Sequence, residues 1–320
     1  MPSDRIPALH QAVLARSVEI VRELIASGAD PHEGIYPFRE FTSALDVAKE
    51  RGYAEIVAAI ESTERPARKP PVDAPDSGIT LWECAGTGDY ESAKRLLDGG
   101  ADPNEAVYAG GSPMFRAFSQ GDRKMIALLR KYGGAPEATT AGLLRLTSLA
   151  RQMLAGEAAY RLDGVGGQTL PEQLLWGAAC GGDPETVRMA LELVDWPRND
   201  PRWFEILEQP LRVWSFGSVS DSWDRSTYPV CFGLLLKRCD PNIAGRFGVT
   251  ILHSVAGSRR HVTVAEQLEF ARLLLDAGAR LDIRDALFDK TALGWAEMRN
   301  REELVELYRS HVSYPPFDSA

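Results

Sequence analysis

The sequence is poor in the residue types that build reactive centres. Cysteine occurs four times, at Cys84, Cys180, Cys231 and Cys239, and no two form a Cys-x-x-Cys. That excludes a disulfide scaffold and leaves thiols packed between helices in a reducing compartment. Histidine occurs five times, with neither His-x-x-x-His nor Glu-x-x-His spacing, so a zinc site has no support and no metal is expected. A Gly-x-Ser-x-Gly elbow and a phosphate-binding loop are both missing. Gly164-Val165-Gly166-Gly167 is rich in glycine, but no strand signal precedes it and no lysine follows. No cofactor is expected. Positive charge is also short: 36 Lys and Arg stand against 45 Asp and Glu, a net charge of −9. Nucleic acid and anionic membrane both call for a basic footprint, so neither is an expected partner. No apolar run is long enough to cross a bilayer, and no signal region follows Met1. The chain reads as cytoplasmic and monomeric.

What is present is repetition. One short turn recurs: Ser27-Gly28-Ala29-Asp30-Pro31, then Gly99-Gly100-Ala101-Asp102-Pro103-Asn104, Tyr132-Gly133-Gly134-Ala135-Pro136, Arg238-Cys239-Asp240-Pro241-Asn242 and Ala277-Gly278-Ala279-Arg280-Leu281-Asp282. Each follows a helical run rich in leucine or other apolar residues. Glycine permits the left-handed φ that ends a helix, and Asp-Pro then sends the chain into a turn. Ahead of each outer helix lies a second motif, such as Leu9-His10-Gln11-Ala12, Ser43-Ala44-Leu45, Ser112-Pro113-Met114 and Thr250-Ile251-Leu252-His253. Two short helices and a turn make one unit that cannot bury its apolar face alone, so units must stack.

These motifs resemble the ankyrin repeat, whose pattern is Thr-Pro-Leu-His-x-Ala, then Gly, then an Ile-Val-x-x-Leu-Leu helix and Gly-Ala-Asp-x-Asn. The chain is similar to divergent, bacterial-type members with insertions, and bacterial effectors are often of this kind. The resemblance implies an all-α helix-turn-helix solenoid of about eight or nine repeats. The expected organisation is repeats one and two in 1–63, a proline-rich linker at 64–77, repeats three to nine in 78–313 with insertions at about 213–225 and 258–263, and a tail at 314–320. His10 and His253 fall at the family histidine, which bonds neighbouring turns.

The resemblance implies a non-enzymatic scaffold that holds a protein partner on its concave face and loop tips. Candidate contacts are Tyr36, Phe38, Arg39, Tyr108, Arg246 and Phe247 on turn tips, with Leu287 and Phe288 in the last turn, since large side chains there are costly to leave wet. Trp82, Phe115 and Trp176 occupy one equivalent position and suggest an aromatic ladder, with Arg116 beside it. Four of the seven tryptophans, Trp196, Trp203, Trp214 and Trp223, fall in one irregular stretch. An aromatic wall with a few converging charges is also what a small-molecule pocket needs. The alternative is therefore a ligand-binding or enzymatic site at 196–232, built from Trp203, Trp214, Asp221, Trp223, Asp224 and Arg225; the same rings could equally fill a gap in the stack.

Overall fold

A computed structural model of the chain describes residues 7–35, 38–63, 79–107, 111–212, 225–258 and 262–313. Among these residues there are eighteen α-helices, in nine successive pairs, and no strand longer than an isolated bridge. The chain forms two compact units. One comprises Met1–Asp73, Arg246–Arg260 and Arg280–Ala320; the other comprises Ala74–Gly245 and His261–Ala279.

The second unit holds α5 (Leu81–Thr87), α6 (Tyr90–Asp98), α7 (Pro113–Ser119), α8 (Arg123–Lys131), α9 (Ala138–Leu143), α10 (Thr147–Leu154), α11 (Leu170–Gly181), α12 (Pro184–Leu191), α13 (Arg202–Glu208), α14 (Tyr228–Leu236) and α16 (Val264–Asp276). First helices stack on first helices, α5 on α7, α9 on α11 and α11 on α13. Second helices do likewise, α6 on α8, α10 on α12, α12 on α14 and α14 on α16. The stacked faces bury Leu81, Cys84, Leu97, Met114, Met125 and Leu129 in one continuous cluster.

Local chemistry fixes the ends. Thr80 opens α5 with a capping box: its hydroxyl accepts from Glu83 N at 3.2 Å, and the Glu83 carboxylate accepts from Thr80 N at 2.7 Å. Gly88 closes α5 at φ +73°. The recurring turn does more than end helices. Asp102 Oδ1 accepts from Asn104 N at 2.8 Å, and Asn104 then reaches the next turn, accepting from Ala135 N at 3.0 Å and donating to Gly133 O at 3.3 Å. Asn242 repeats the move onto Gly278 O at 3.2 Å. One helix contact is closer than the rest. A Cβ on Gly142 of α9 would collide with the backbone of Gly177 and Ala178, and one on Gly177 or Gly181 of α11 with that of α9. These three glycines let two helix backbones touch.

The first unit holds α1 (Ala8–Leu14), α2 (Val18–Ala26), α3 (Ala44–Glu50), α4 (Ala54–Ser62), α15 (Ile251–Gly257), α17 (Ala292–Met298) and α18 (Glu302–Ser313). The histidines do what the sequence implies. His10 Nε2 donates to Thr42 O at 2.8 Å. His253 Nε2 donates to Lys290 O at 3.1 Å while Nδ1 accepts from Thr250 N at 3.1 Å. The carbonyls can only accept, so each ring carries its hydrogen on Nε2.

This unit joins segments far apart in sequence. Arg51, just past α3, donates to Ala286 O at 2.6 Å and Leu287 O at 3.0 Å, the latter 236 residues away. Trp295 of α17 is fully buried. Phe38, Phe41, Phe288 and His253 surround it, with centroid distances of 5.4, 5.5, 5.6 and 5.4 Å. Arg299 lies 4.1 Å above Phe41, and the Lys290–Glu50 and Arg299–Glu40 pairs, at 3.3 and 3.6 Å, frame the cluster. The first two helix pairs are thus clasped to the ninth.

Candidate functional site: an aromatic–guanidinium step on the first helices

Trp82 on α5 is half-buried. The Arg116 guanidinium from α7 spreads over its ring at 4.9 Å. It gets there because residue 86 has no side chain: a Cβ on Gly86 would meet the guanidine nitrogens of Arg116. A cation over an indole face contributes about 0.5–2 kcal/mol, more as water is excluded. The step sets a guanidinium, which only donates hydrogen bonds, across the face of a half-buried indole.

The other rings of the expected ladder lie elsewhere. Phe115 and Trp176 both pack on the Leu143–Leu144–Cys180 cluster between α9 and α11. Trp176 also covers Gly166. In place of a ladder there are one aromatic–cation pair and two rings that pack on one apolar cluster.

The tryptophan-rich stretch is built as core where it is described. Trp203 is fully buried, and its Nε1 donates to Pro197 O at 2.9 Å. Trp196 lies edge-on to it at 4.9 Å. Trp196 Nε1 and Arg202 Nη1 both donate to Glu172 Oε1, at 2.8 and 2.9 Å, and the Arg202 guanidinium covers the Trp196 ring at 4.4 Å. The second oxygen of Glu172 accepts from Gln168 N and Thr169 N at 2.8 and 3.0 Å, capping α11. Burial pushes the Glu172 pKa up, but the Trp196 bond and the two backbone N–H groups outweigh it, and the net shift is downward. Arg225 has its partners within the unit: Glu266 at 2.6 Å, Pro210 O at 3.1 Å and the Tyr228 ring at 4.2 Å. Trp214, Asp221, Trp223 and Asp224 lie outside the described residues.

Among the turn-tip residues, Tyr36 and Tyr108 also lie outside the described residues, as do 64–78, 259–261 and 314–320. Arg39 and Arg246 are exposed, whereas Phe38 turns inward onto Trp295. Leu287 and Phe288 are 2% and 3% exposed. Asp285 causes this. Its carboxylate accepts from the N–H groups of Leu287, Phe288 and Lys290 and from Trp295 Nε1, at 2.7, 2.6, 3.0 and 3.0 Å, which folds the tip inward.

No group of three or more His, Cys, Asp or Glu among the described residues is placed to hold a metal ion. All four cysteines are free and buried. Burial pushes their thiols up, Cys231 and Cys239 to about 12, so they are protonated and unreactive at neutral pH. No described helix is long and apolar enough to cross a membrane. Sequence reasoning passed over one exposed patch, Tyr160 and Leu162, which are 37% and 47% accessible. Its signal was the apolar–polar–apolar alternation of Tyr160-Arg161-Leu162.

Residues 5–34 match the family model described as ankyrin repeat. Beyond that match, the described chain goes on as stacked helix pairs with histidine-to-carbonyl links at His10 and His253. Repeats of this kind present extended concave binding surfaces and serve in general as protein-interaction modules. Over 108 residues the chain is 31% identical to the mitochondrial disaggregase of Bos taurus; that stretch is 33% of this chain and 15% of the relative, so the chain spans only a small part of that protein. Among solved structures it is similar to the ankyrin repeat domain of Bcl-3, described as a unique member of the IkappaB protein family. The TM-score there is 0.38 and the identity 19%, over 72% of this chain and 99% of that one. It is also similar to the human ASB11 ankyrin repeat domain, with a TM-score of 0.29 and 18% identity, over 92% of this chain and 98% of that one.

Proposed function

We propose that the chain is a non-enzymatic scaffold that holds a protein partner on its concave face and turn tips. In this reading it acts as a cytoplasmic monomer, without a cofactor and without contact to nucleic acid or membrane. The observation that carries the reading is the Trp82–Arg116 step: a half-buried indole with a guanidinium across it, beside a glycine that keeps the way clear. Tryptophan and arginine dominate binding hot spots because they bury much area and donate hydrogen bonds from a stiff frame. A stack of short helices presents such a pair preformed, so little ordering entropy is lost on binding. Arg39 and Arg246, both exposed, are the turn-tip contacts of this reading on the first unit. The test is affinity capture with the full chain and with Trp82→Ala/Arg116→Ala, followed by quantitative mass spectrometry. The reading expects proteins held by the parent to be lost from the double variant at unchanged helical content. Equal capture by both overturns it. The pocket reading of 196–232 draws no support from Trp203, which is fully buried.

A further inference from the structure

Between α10 and α11 the chain runs extended beside the start of α9, and Arg161 pairs with Glu137 as a parallel bridge. Arg161 N donates to Pro136 O and Ala138 N donates to Arg161 O, both at 2.9 Å. In an extended chain successive backbone groups point to opposite edges. The N–H and C=O groups of Tyr160 and Leu162 therefore lie on the far edge, where they make no hydrogen bond among the described residues. The side chains alternate as well. Arg161 turns inward, donating to Asn104 O at 2.9 Å and lying 3.9 Å from Glu137. Tyr160 and Leu162 turn outward, and both are exposed. An open edge beneath two exposed apolar side chains is a template for another strand. The charges say which strand. Arg161 is directed inward and the Asp163 carboxylate accepts from Thr139 Oγ1 and Val165 N, at 3.1 and 2.9 Å, so the exposed ionic group left beside Tyr160 and Leu162 in this segment is the Glu157 carboxylate.

We infer that residues 160–162 form a docking edge for an extended peptide with apolar side chains at alternate positions and a flanking Lys or Arg. Main-chain bonds to Tyr160 and Leu162 hold the peptide, their side chains read its apolar positions, and Glu157 reads its charge. The inference rests on the scaffold reading but uses a different surface from the Trp82–Arg116 step.

The test is fluorescence anisotropy of a labelled Lys-Lys-Thr-Val-Thr-Val-Thr-Lys-Lys peptide titrated with the full chain at low salt. Two further peptides are methylated on the backbone nitrogens of the valines or of the threonines, and a fourth carries Glu in place of Lys. Saturable binding of the parent peptide is expected, with a loss of about tenfold or more for one of the two methylated peptides. A similar loss is expected for the Glu-flanked peptide, and for the parent peptide with Tyr160→Lys/Leu162→Lys, whose fold is checked by circular dichroism. Equal binding of all four peptides, undiminished binding to that variant, or no saturation up to about 1 mM, the weak end of specific recognition, overturns the inference. Trp82→Ala/Arg116→Ala should bind the peptide as the parent does, so a failure here leaves the scaffold reading standing, and the reverse.

Discussion

The clasp around Trp295 can be tested by a double-mutant cycle between Phe41 and Trp295. Trp295 is fully buried, and its indole N–H satisfies Asp285. Trp295→Ala removes a large ring from a closed cluster, a change that typically costs about 3–5 kcal/mol. It also leaves Asp285 Oδ2 short of one donor, which belongs to the upper end of that range. Phe41 is half-buried and contacts Trp295 edge-on at 5.5 Å. Phe41→Ala should therefore cost about 1–3 kcal/mol. Ring pairs of this kind couple by about 0.5–1.5 kcal/mol beyond area burial, so the double variant should be less destabilised than the sum by about that amount. Urea unfolding followed by circular dichroism gives the totals. Because a repeat array need not unfold in one step, hydrogen exchange by mass spectrometry supplies the local readout. Either variant should speed exchange in both α3 and α17. Strict additivity, with exchange altered only around the mutated residue, would show that the two segments do not share a core, and the clasp would be wrong.

Gly177→Ala should destabilise the second unit by about 1–3 kcal/mol, because the new methyl meets backbone that cannot swing aside; Gly52→Ala, in open space at φ +68°, should cost about 1 kcal/mol from its backbone alone, and equal effects would refute the close contact. Stability should fall between pH 7.5 and 5.5. Burial holds the folded pKa of His10 and of His253 below the ordinary value, so the folded chain binds fewer protons than the unfolded one, and the stability present above about pH 6.5 is lost as pH falls toward the folded pKa. A melting temperature flat across that window, or a pH dependence that His10→Gln/His253→Gln does not reduce, counts against it. A second loss belongs to lower pH, below the unfolded pKa of about 4.3, as Glu172 is titrated through its depressed folded value; Glu172→Gln should flatten that arm. The four thiols should react with a disulfide reagent in urea and stay silent in native buffer; fast native labelling would mean that the helices holding them open readily.

The repeat frame was legible because its signals are local. Gly28, Gly100, Gly133 and Gly278 all adopt positive φ, as a glycine after a leucine-rich helix should. The irregular seventh pair was legible too: the sequence predicts helices over 201–211 and about 227–237, and α13 with the 3-10 turn Gln209–Leu211, then α14, lie there. The destination of the aromatic side chains was not legible. Phe38 on a long turn and Trp203 in an irregular stretch look alike in sequence, as large rings outside the repeat pattern. Phe38 packs on Trp295 because Arg51 and Asp285 draw two distant turns together. Trp203 is covered because Trp196 and Pro197 close over it. Such contacts join positions far apart or depend on a backbone carbonyl, and neither leaves a periodic mark.

The same holds for the positions where the pattern breaks in the backbone. The first helices α3, α5, α7 and α11 end on a left-handed glycine, but after α1, α9 and α17 Arg16, Arg145 and Asn300 take that conformation at φ +56°, +53° and +53°. A side chain there costs about 1 kcal/mol or more, so a compensating contact is expected. Arg16 reaches the next pair, 2.7 Å from Glu55 and 4.9 Å from the Tyr53 ring. Arg145 donates to Gly181 O at 2.6 Å and lies 5.7 Å from the Tyr228 ring. Both arginines bind one repeat to the next. Departure from the repeat is therefore a poor guide to function in this chain, because many of its breaks are stitches between repeats. Exposure separates the two cases. Phe38, Trp203 and Arg145 are taken up inside the chain, whereas Tyr160 and Leu162 remain on the surface above a strand edge with unmet backbone groups, and that is where a partner's backbone has something to gain.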